Sequence, residues 1–71
     1  MKTLAELKKG DTCKIADFAD NYTRCQTMRF GLFTGEEVKC IEKVGPIIIG
    51  KKQQRMAVGN SLAKKIYVSI E

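Results

Sequence analysis

The chain lacks histidine and tryptophan altogether, and its single proline is Pro46. Histidine is the commonest general base near neutral pH, and no serine or cysteine has a neighbouring base at the spacing of a catalytic motif. The glycines form no GxGxxG pattern and precede no Lys-Ser or Lys-Thr pair, so no phosphate-binding loop is indicated. We therefore expect no enzymatic activity and assign no catalytic residue.

Cysteines are few and unpaired in their spacing. Cys13, Cys25 and Cys40 are odd in number, form no CxxC motif and follow no signal peptide, which favours free thiols in a reducing cytosol. A lone cysteine usually packs as a small apolar side chain, so we weigh packing about five to one over metal ligation. Scattered surface carboxylates are ordinary in soluble proteins. We therefore predict that neither the cysteines nor the carboxylates of Asp17, Asp20, Glu36 and Glu37 act as metal ligands.

Long apolar runs are also missing. The longest one covers residues 46–49, which is far too short to cross a bilayer. A length of 71 residues allows one small core, so residues 1–71 are predicted to form a single domain. We expect a cytoplasmic protein without membrane insertion.

Positive charge is what the chain has in excess. It carries 13 lysines and arginines against 8 acidic residues, a net charge of +5, which favours an acidic partner. Proteins that bind single-stranded nucleic acid stack its bases on exposed aromatic rings along a basic groove. This chain has only five aromatic residues, and its lysine pairs lie on separate turns. Nucleic acid is thus the less favoured partner, although a basic small-barrel nucleic-acid-binding module stays open as the alternative function.

One helix is predicted, from Thr23 to Phe30. Thr23 and Gln26 have the spacing of a capping box, which satisfies backbone N–H groups at a helix start. Gly31 suits the left-handed conformation that follows many helices, and Leu32 can then fold back onto the last turn. Both Gly31 and Leu32 are therefore assigned structural roles.

Short apolar runs elsewhere predict strands. Residues 12–18 alternate, residues 36–44 alternate with a bend or bulge, and the last strand has strict alternation at Ile66, Val68 and Ile70. Further strands are predicted over 47–49 and 53–58, with structural turn residues at Gly35, Pro46 and Gly59. The predicted fold is mainly β: a small barrel of about five strands, with one short α-helix after strand 1 and a helical turn before the last strand. Leu4 and Leu7 seat the N-terminus, and the predicted core comprises Cys13, Ile15, Phe30, Leu32, Val38, Met56, Val58, Ile66 and Val68.

A collinear set of motifs resembles the ferrous iron transport protein A (FeoA) family. The set begins with LxxLxxG and a strand, continues with the segment from Arg24 to Gly35 and its Gly-Leu-x-x-Gly turn, and includes Val-Gly-Pro-Ile at Val44. It ends with Met-Ala-Val-Gly-x-x-Leu-Ala-x-Lys-Ile-x-Val from Met56 to Val68. The resemblance implies an SH3-like fold, similar also to the C-terminal domain of iron-dependent repressors of the diphtheria-toxin-repressor type.

The same resemblance implies a function and a partner. Members of the family are accessory proteins of bacterial ferrous iron uptake, acting on the cytosolic side with the membrane GTPase and permease FeoB. No tightly bound cofactor is implied, and Fe²⁺ or another divalent metal would bind only transiently. The chain has Gln26 and Thr27 where the family usually has an Arg-Leu pair, so Leu32 would meet only the methyl group of Thr27.

The helix and the turn after it are the predicted partner-binding surface. Tyr22, Arg24 and Arg29 can project from the helix, and Phe33 stands at the tip of the exit turn. Arginine and aromatic residues are enriched in interface hot spots, whereas lysine is depleted at interface centres. An equally weighted alternative is that Phe33 caps the barrel from inside and that the arginines are merely solvated.

Overall fold

A computed structural model describes residues 2–70. Met1 and Glu71, the ends of the predicted 1–71 domain, lie outside the described residues. A short 3₁₀ helix, Leu4–Glu6, follows the first strand. The other elements are, in chain order, β1 (Lys2–Thr3), β2 (Thr12–Phe18), α1 (Asn21–Arg29), β3 (Glu37–Lys43), β4 (Ile47–Lys51), β5 (Gln54–Val58), α2 (Asn60–Ala63) and β6 (Ile66–Ile70).

Within residues 2–70, six strands form one antiparallel sheet in the order β1-β6-β2-β3-β4-β5. The predicted mainly β architecture is confirmed, including the helix after strand 12–18 and the helical turn before the last strand. The additional strand is β1, whose two residues pair with Val68 and Tyr67 of β6. Two residues are too few to show an alternating pattern, which explains why the sequence did not indicate this strand.

Two register shifts bend the sheet. One lies between Ile15 and Asp17, where β2 pairs with β6, and the other lies between Cys40 and Glu42, where β3 pairs with β4. The second shift is the bulge that the irregular alternation of residues 36–44 predicts. Bulges increase local twist and let a short sheet curl around its own core.

The core is formed mainly by side chains of β2 to β6, together with Leu4 and Leu7 near the N-terminus. Among the predicted core residues, Phe30 is wrong because it is 42% exposed, and Met56 is only partly buried against the core. Leu32, also a predicted core residue, is fully buried, because the turn at Gly31 brings it back onto the helix. The core comprises Leu4, Leu7, Cys13, Ile15, Phe18, Leu32, Val38, Cys40, Ile47, Ile49, Val58, Ala63, Ile66 and Val68.

Helix α1 begins earlier than predicted. Its N-cap is Asp20, whose side chain accepts a hydrogen bond from the backbone N–H of Thr23 at 2.7 Å. The predicted capping box of Thr23 and Gln26 is therefore wrong, since Thr23 lies inside the helix and is buried. That hydrogen bond holds the pKa of Asp20 below its usual value, and the ionised carboxylate also suits the positive end of the helix dipole.

Candidate docking surface

Only a narrow face of α1 packs against the sheet. Thr23 and Thr27 are its buried residues, and the helix contacts β2. The Thr27 hydroxyl donates to the carbonyl oxygens of Thr23, at 3.0 Å, and of Arg24, at 3.1 Å. Back-bonding of this kind allows a buried threonine to satisfy its polar group without any partner outside the helix. The rest of α1 is exposed to solvent.

Two of the predicted docking residues lie together on the outer face of α1. Tyr22 is 73% exposed, and with Cys25, Gln26 and Arg29 it lines a shallow pocket of about 70 Å³. Arg24 does not line this pocket, because a helix advances about 100° per residue and places Arg24 on the other flank. Tyr22 and Arg29 therefore form one continuous feature, from which Arg24 is separated by the width of the helix.

Arg24 is also partly engaged within the helix. Its guanidinium group donates to the side-chain oxygen of Asn21 at 3.1 Å. This hydrogen bond is on the protein surface and is readily exchanged for one to a partner.

A glycine-dependent turn ends α1. Gly31 has φ of +88°, and its N–H donates to the Met28 carbonyl at 3.1 Å. The N–H of Leu32 donates to the Thr27 carbonyl at 3.1 Å. This pair of bonds is the Schellman arrangement, which satisfies carbonyl groups that the helix leaves without partners. The turn reverses the chain and directs Phe33 away from the core.

Phe33 is exposed at the tip of this exit turn, not inside the barrel. Its side chain is 43% exposed, and its backbone N–H donates to Oε1 of Glu36 at 3.1 Å. Its ring centroid lies 5.8 Å from the ammonium nitrogen of Lys51. Lys51 in turn pairs with Oε2 of Glu36 at 2.8 Å and donates to the Gly31 carbonyl. The hydrogen bond from Lys51 is the main reason that the pKa of Glu36 is lowered.

The other predicted turn residues have different conformational needs. Gly35 has φ of +90°, which favours glycine, and its N–H donates to the Ile15 carbonyl at 2.7 Å, tying the exit turn to β2. Pro46 is exposed, and its carbonyl accepts from Val44 at 3.3 Å in the turn between β3 and β4. Gly59 caps α2 with φ of −62°, a value that any residue adopts.

Several surface features escaped the sequence reasoning. Met28 and Phe30 are 39% and 42% exposed, and they lie between Tyr22 and Phe33 in the chain, Met28 on α1 and Phe30 at its C-cap. A groove of about 290 Å³ runs between α1 and α2, lined by Tyr22, Thr23, Gln26, Ser61, Leu62 and Lys65. No local pattern indicates this groove, because it depends on how the two helices pack. The exposure of Met28 could have been inferred from its position opposite Thr23 on the helix.

The three cysteines form no disulfide in this structure. Cys13 and Cys40 are buried and Cys25 is exposed. Burial raises the pKa of the Cys40 thiol above its usual value and so favours the neutral form. Across residues 2–70, no three His, Cys, Asp or Glu side chains are grouped so that they could hold a metal ion. None of the helices in this range combines the length and apolarity needed for a bilayer span.

Comparison with known families gives a match over residues 2–70, to the FeoA domain. Among solved structures, an iron uptake regulatory protein (FeoA) superposes with a TM-score of 0.88 at 28% identity, covering 97% of this chain and 95% of that one. FeoA from Stenotrophomonas maltophilia, complexed with zinc and described as an SH3 domain protein, gives a TM-score of 0.81 at 26% identity over 100% and 96% of the chains. FeoA from Chlorobium tepidum superposes with a TM-score of 0.83 at 26% identity, covering 97% of this chain and 70% of that one.

Solved structures of lower sequence identity share only the fold. T. acidophilum IdeR superposes with a TM-score of 0.87 at 14% identity, covering 99% of this chain and 34% of that one. The chain thus corresponds to about one third of that protein. Among proteins of curated function, none matches this sequence.

Proposed function

The chain belongs to the FeoA family, which is implicated in ferrous iron transport, and from this we propose that it is a small cytosolic accessory protein of bacterial ferrous iron uptake. In this proposal it binds the cytosolic part of the membrane transporter FeoB, and it acts by docking without catalysing a reaction.

One observation carries the choice of docking surface. The exposed large hydrophobic side chains of residues 2–70 are concentrated in one short segment, because four of the six lie between residues 22 and 33. They are Tyr22, Met28, Phe30 and Phe33, and the other two are Val44 and Ile70. An exposed apolar patch rimmed by polar residues is typical of a protein interaction site. We call the exposed residues of α1 and its exit turn the helix-exit surface: Tyr22, Arg24, Met28, Arg29, Phe30 and Phe33, with Arg24 on the opposite flank of α1 from Tyr22 and Arg29.

Charge supports an acidic partner for this surface. The segment from residue 21 to residue 35 contains no aspartate or glutamate, whereas it contains Arg24 and Arg29. Arginine pairs with carboxylates in a planar, two-pronged geometry and stacks on aromatic rings, so it loses less on desolvation than lysine does. An apolar centre flanked by arginine fits a partner surface that presents apolar groups beside carboxylates.

Iron enters this proposal as the transported substrate. The zinc in the S. maltophilia structure belongs to that protein. For this chain we propose that Fe²⁺ or another divalent metal is bound at most transiently, while the lasting interaction is with the transporter.

A binding titration tests the proposal. The purified cytosolic domain of FeoB is titrated with the wild-type protein and with a folded Arg24→Ala, Arg29→Ala, Phe33→Ser triple variant. A control, Lys39→Ala with Arg55→Ala, removes the same number of positive charges from β3 and β5. We expect the wild type and the control to bind alike and the triple variant to bind at least about tenfold more weakly.

The opposite results are equally specific. Equal binding by the triple variant would move the interface to another part of the molecule. If neither protein bound the transporter domain but both bound single-stranded DNA in a salt-sensitive manner, the nucleic-acid-binding alternative would replace docking.

A further inference from the structure

A single lysine connects the β4–β5 hairpin to the exit turn of α1. Lys51 is the last residue of β4, yet its ammonium group reaches three groups of the exit turn. It donates to the Gly31 carbonyl, lies 2.8 Å from Oε2 of Glu36 and sits 5.8 Å from the ring centroid of Phe33. The hairpin and the turn are thus held together by side-chain contacts between residues far apart in sequence.

Glu36 completes the arrangement from the opposite side. While Oε2 pairs with Lys51, Oε1 accepts the backbone N–H of Phe33 at 3.1 Å. Phe33 is therefore restrained twice, through its backbone by Glu36 and through its ring by Lys51. We call Glu36 and Lys51 the clamp.

Burial distinguishes the clamp from an ordinary surface ion pair. The side chains of Lys51 and Glu36 are only 13% and 22% exposed. In the pair of Lys9 with Glu42 the side chains are 69% and 46% exposed, and the charged atoms are 3.6 Å apart. Exposed pairs of that kind contribute little, whereas a partly desolvated pair with further hydrogen bonds holds its geometry more firmly.

The clamp is occupied by internal contacts. A lysine ammonium group has three N–H donors, and here it faces a carbonyl, a carboxylate and an aromatic ring. Little of this group is left to meet a partner. Phe33 itself remains 43% exposed and is free to make contact.

From this geometry we propose that Glu36 and Lys51 are positioning residues that hold Phe33 ready for docking; the proposal rests on the function proposed above. An aromatic side chain on a mobile turn loses conformational freedom when it binds, and that loss weakens affinity. If the turn is already restrained before binding, less conformational freedom is lost when the partner binds. The clamp thereby affects affinity without lying in the interface.

The first test uses the free protein and needs no partner. Hydrogen exchange at the Phe33 amide is compared between wild type, Lys51→Met and Glu36→Gln. Lys51→Met keeps a long apolar side chain but removes the charge, and Lys9→Met is the matched control at the exposed pair. We expect the Phe33 amide to exchange at least about tenfold faster in Lys51→Met and to be unchanged in Lys9→Met. Unchanged exchange in both clamp variants would overturn the proposal, whatever the partner is.

The second test is a double-mutant cycle of binding to the FeoB cytosolic domain. Lys51→Met should weaken binding by about three- to tenfold, and adding it to Phe33→Ser should cause no further loss beyond about twofold. Full additivity would mean that Lys51 contacts the partner directly, which contradicts a positioning role. Weaker binding by Phe33→Ser with unchanged binding by Lys51→Met would also overturn the clamp while leaving docking intact.

Discussion

The backbone N–H of Leu32 reaches across Gly31 to the carbonyl oxygen of Thr27, at 3.1 Å. This bond reverses the chain at the end of α1, buries Leu32 completely and leaves Phe33 on the surface. The core and the helix-exit surface thus depend on the same turn. The FeoA family usually has leucine where this chain has Thr27. Because the bond is accepted by the backbone carbonyl of Thr27, the turn forms without a leucine side chain there.

Gly31 should be required for stability. Gly31→Ala is expected to lower the free energy of unfolding by about 1 to 2 kcal/mol, because φ of +88° is strained for any residue with a Cβ atom. The cost is conformational, since a Cβ atom there would lie 3.7 Å from the Lys51 ammonium nitrogen, an ordinary contact distance. Urea unfolding measures the change, and an unaltered midpoint and slope would refute it.

Gly59 provides the contrasting case. It caps α2 with φ of −62°, it has no side chain to accept a hydrogen bond, and a Cβ atom there would meet no atom within 4 Å. Gly59→Ser should leave stability unchanged or raise it by up to about 1 kcal/mol, because serine can cap the orphaned N–H groups. A loss of stability in the same urea assay would show that this position has a need for glycine that its geometry does not reveal.

Gly50 should tolerate a methyl group only if Ile41 becomes smaller. An added Cβ atom would lie 3.0 Å from Cδ1 and 3.3 Å from Cγ1 of Ile41. Gly50→Ala is expected to destabilise the protein by about 1 to 2 kcal/mol through overpacking. In an Ile41→Val background, which removes Cδ1, the added cost should fall by half or more. Equal costs in both backgrounds, measured by thermal unfolding, would exclude this contact as the cause.

Val68 tests the packing of the core. It is 2% exposed at the centre of β6, where it pairs with Lys2 and Ile15 on either side. Val68→Ala should lower the free energy of unfolding by about 1 to 3 kcal/mol, because a small chain has few other core residues to compensate for the void. Ser69→Ala, at an exposed position on the same strand, is the control and should change stability by less than about 0.5 kcal/mol.

Acid should weaken the fold partly through Asp20 and Glu36. The pKa of each carboxyl is lower in the folded protein than its usual value, through hydrogen bonds from Thr23 and Lys51 respectively. The unfolded chain therefore binds protons more tightly, so this stabilisation is complete above pH values of about 4 to 5 and is lost as the pH falls through the folded pKa.

The corresponding measurement is urea unfolding at pH 7, 5 and 3. Glu36→Gln should be less stable than wild type at neutral pH, and the difference should shrink at pH 3, where the wild-type carboxylate is being protonated. A difference that stays constant with pH would mean that the charge of Glu36 is not what stabilises the turn.

Local patterns predicted the elements whose residues carry their own signals. The strict alternation of Ile66, Val68 and Ile70 predicted β6, and Gly31 predicted the end of α1. The start of α1 was predicted at Thr23, which is wrong because Asp20, three residues earlier, is the N-cap. Phe30 was misplaced because periodicity gives no account of the chain after a helix has ended.

The candidate site could be predicted only in part. Exposure of Tyr22 follows from its place on the helix, whereas the sequence left open whether Phe33 lies inside the barrel, and only the structure shows that it is exposed. Separation of Arg24 from Arg29 follows from helical geometry once the buried face is known. By contrast, the contact of Lys51 with Glu36 joins residues fifteen positions apart, and no spacing rule for helices or strands connects them.

The central claim, that a partner docks on the helix-exit surface, is tested most directly by mapping amide chemical shifts of the labelled protein during titration with the FeoB cytosolic domain. We expect the perturbed amides to cluster between residues 21 and 36. Smaller shift changes are expected at Lys51 in the β4–β5 hairpin, and the amides of β3 around Lys39 should remain unchanged. Perturbations centred on β3 to β5, with residues 21–36 unaffected, would contradict the claim.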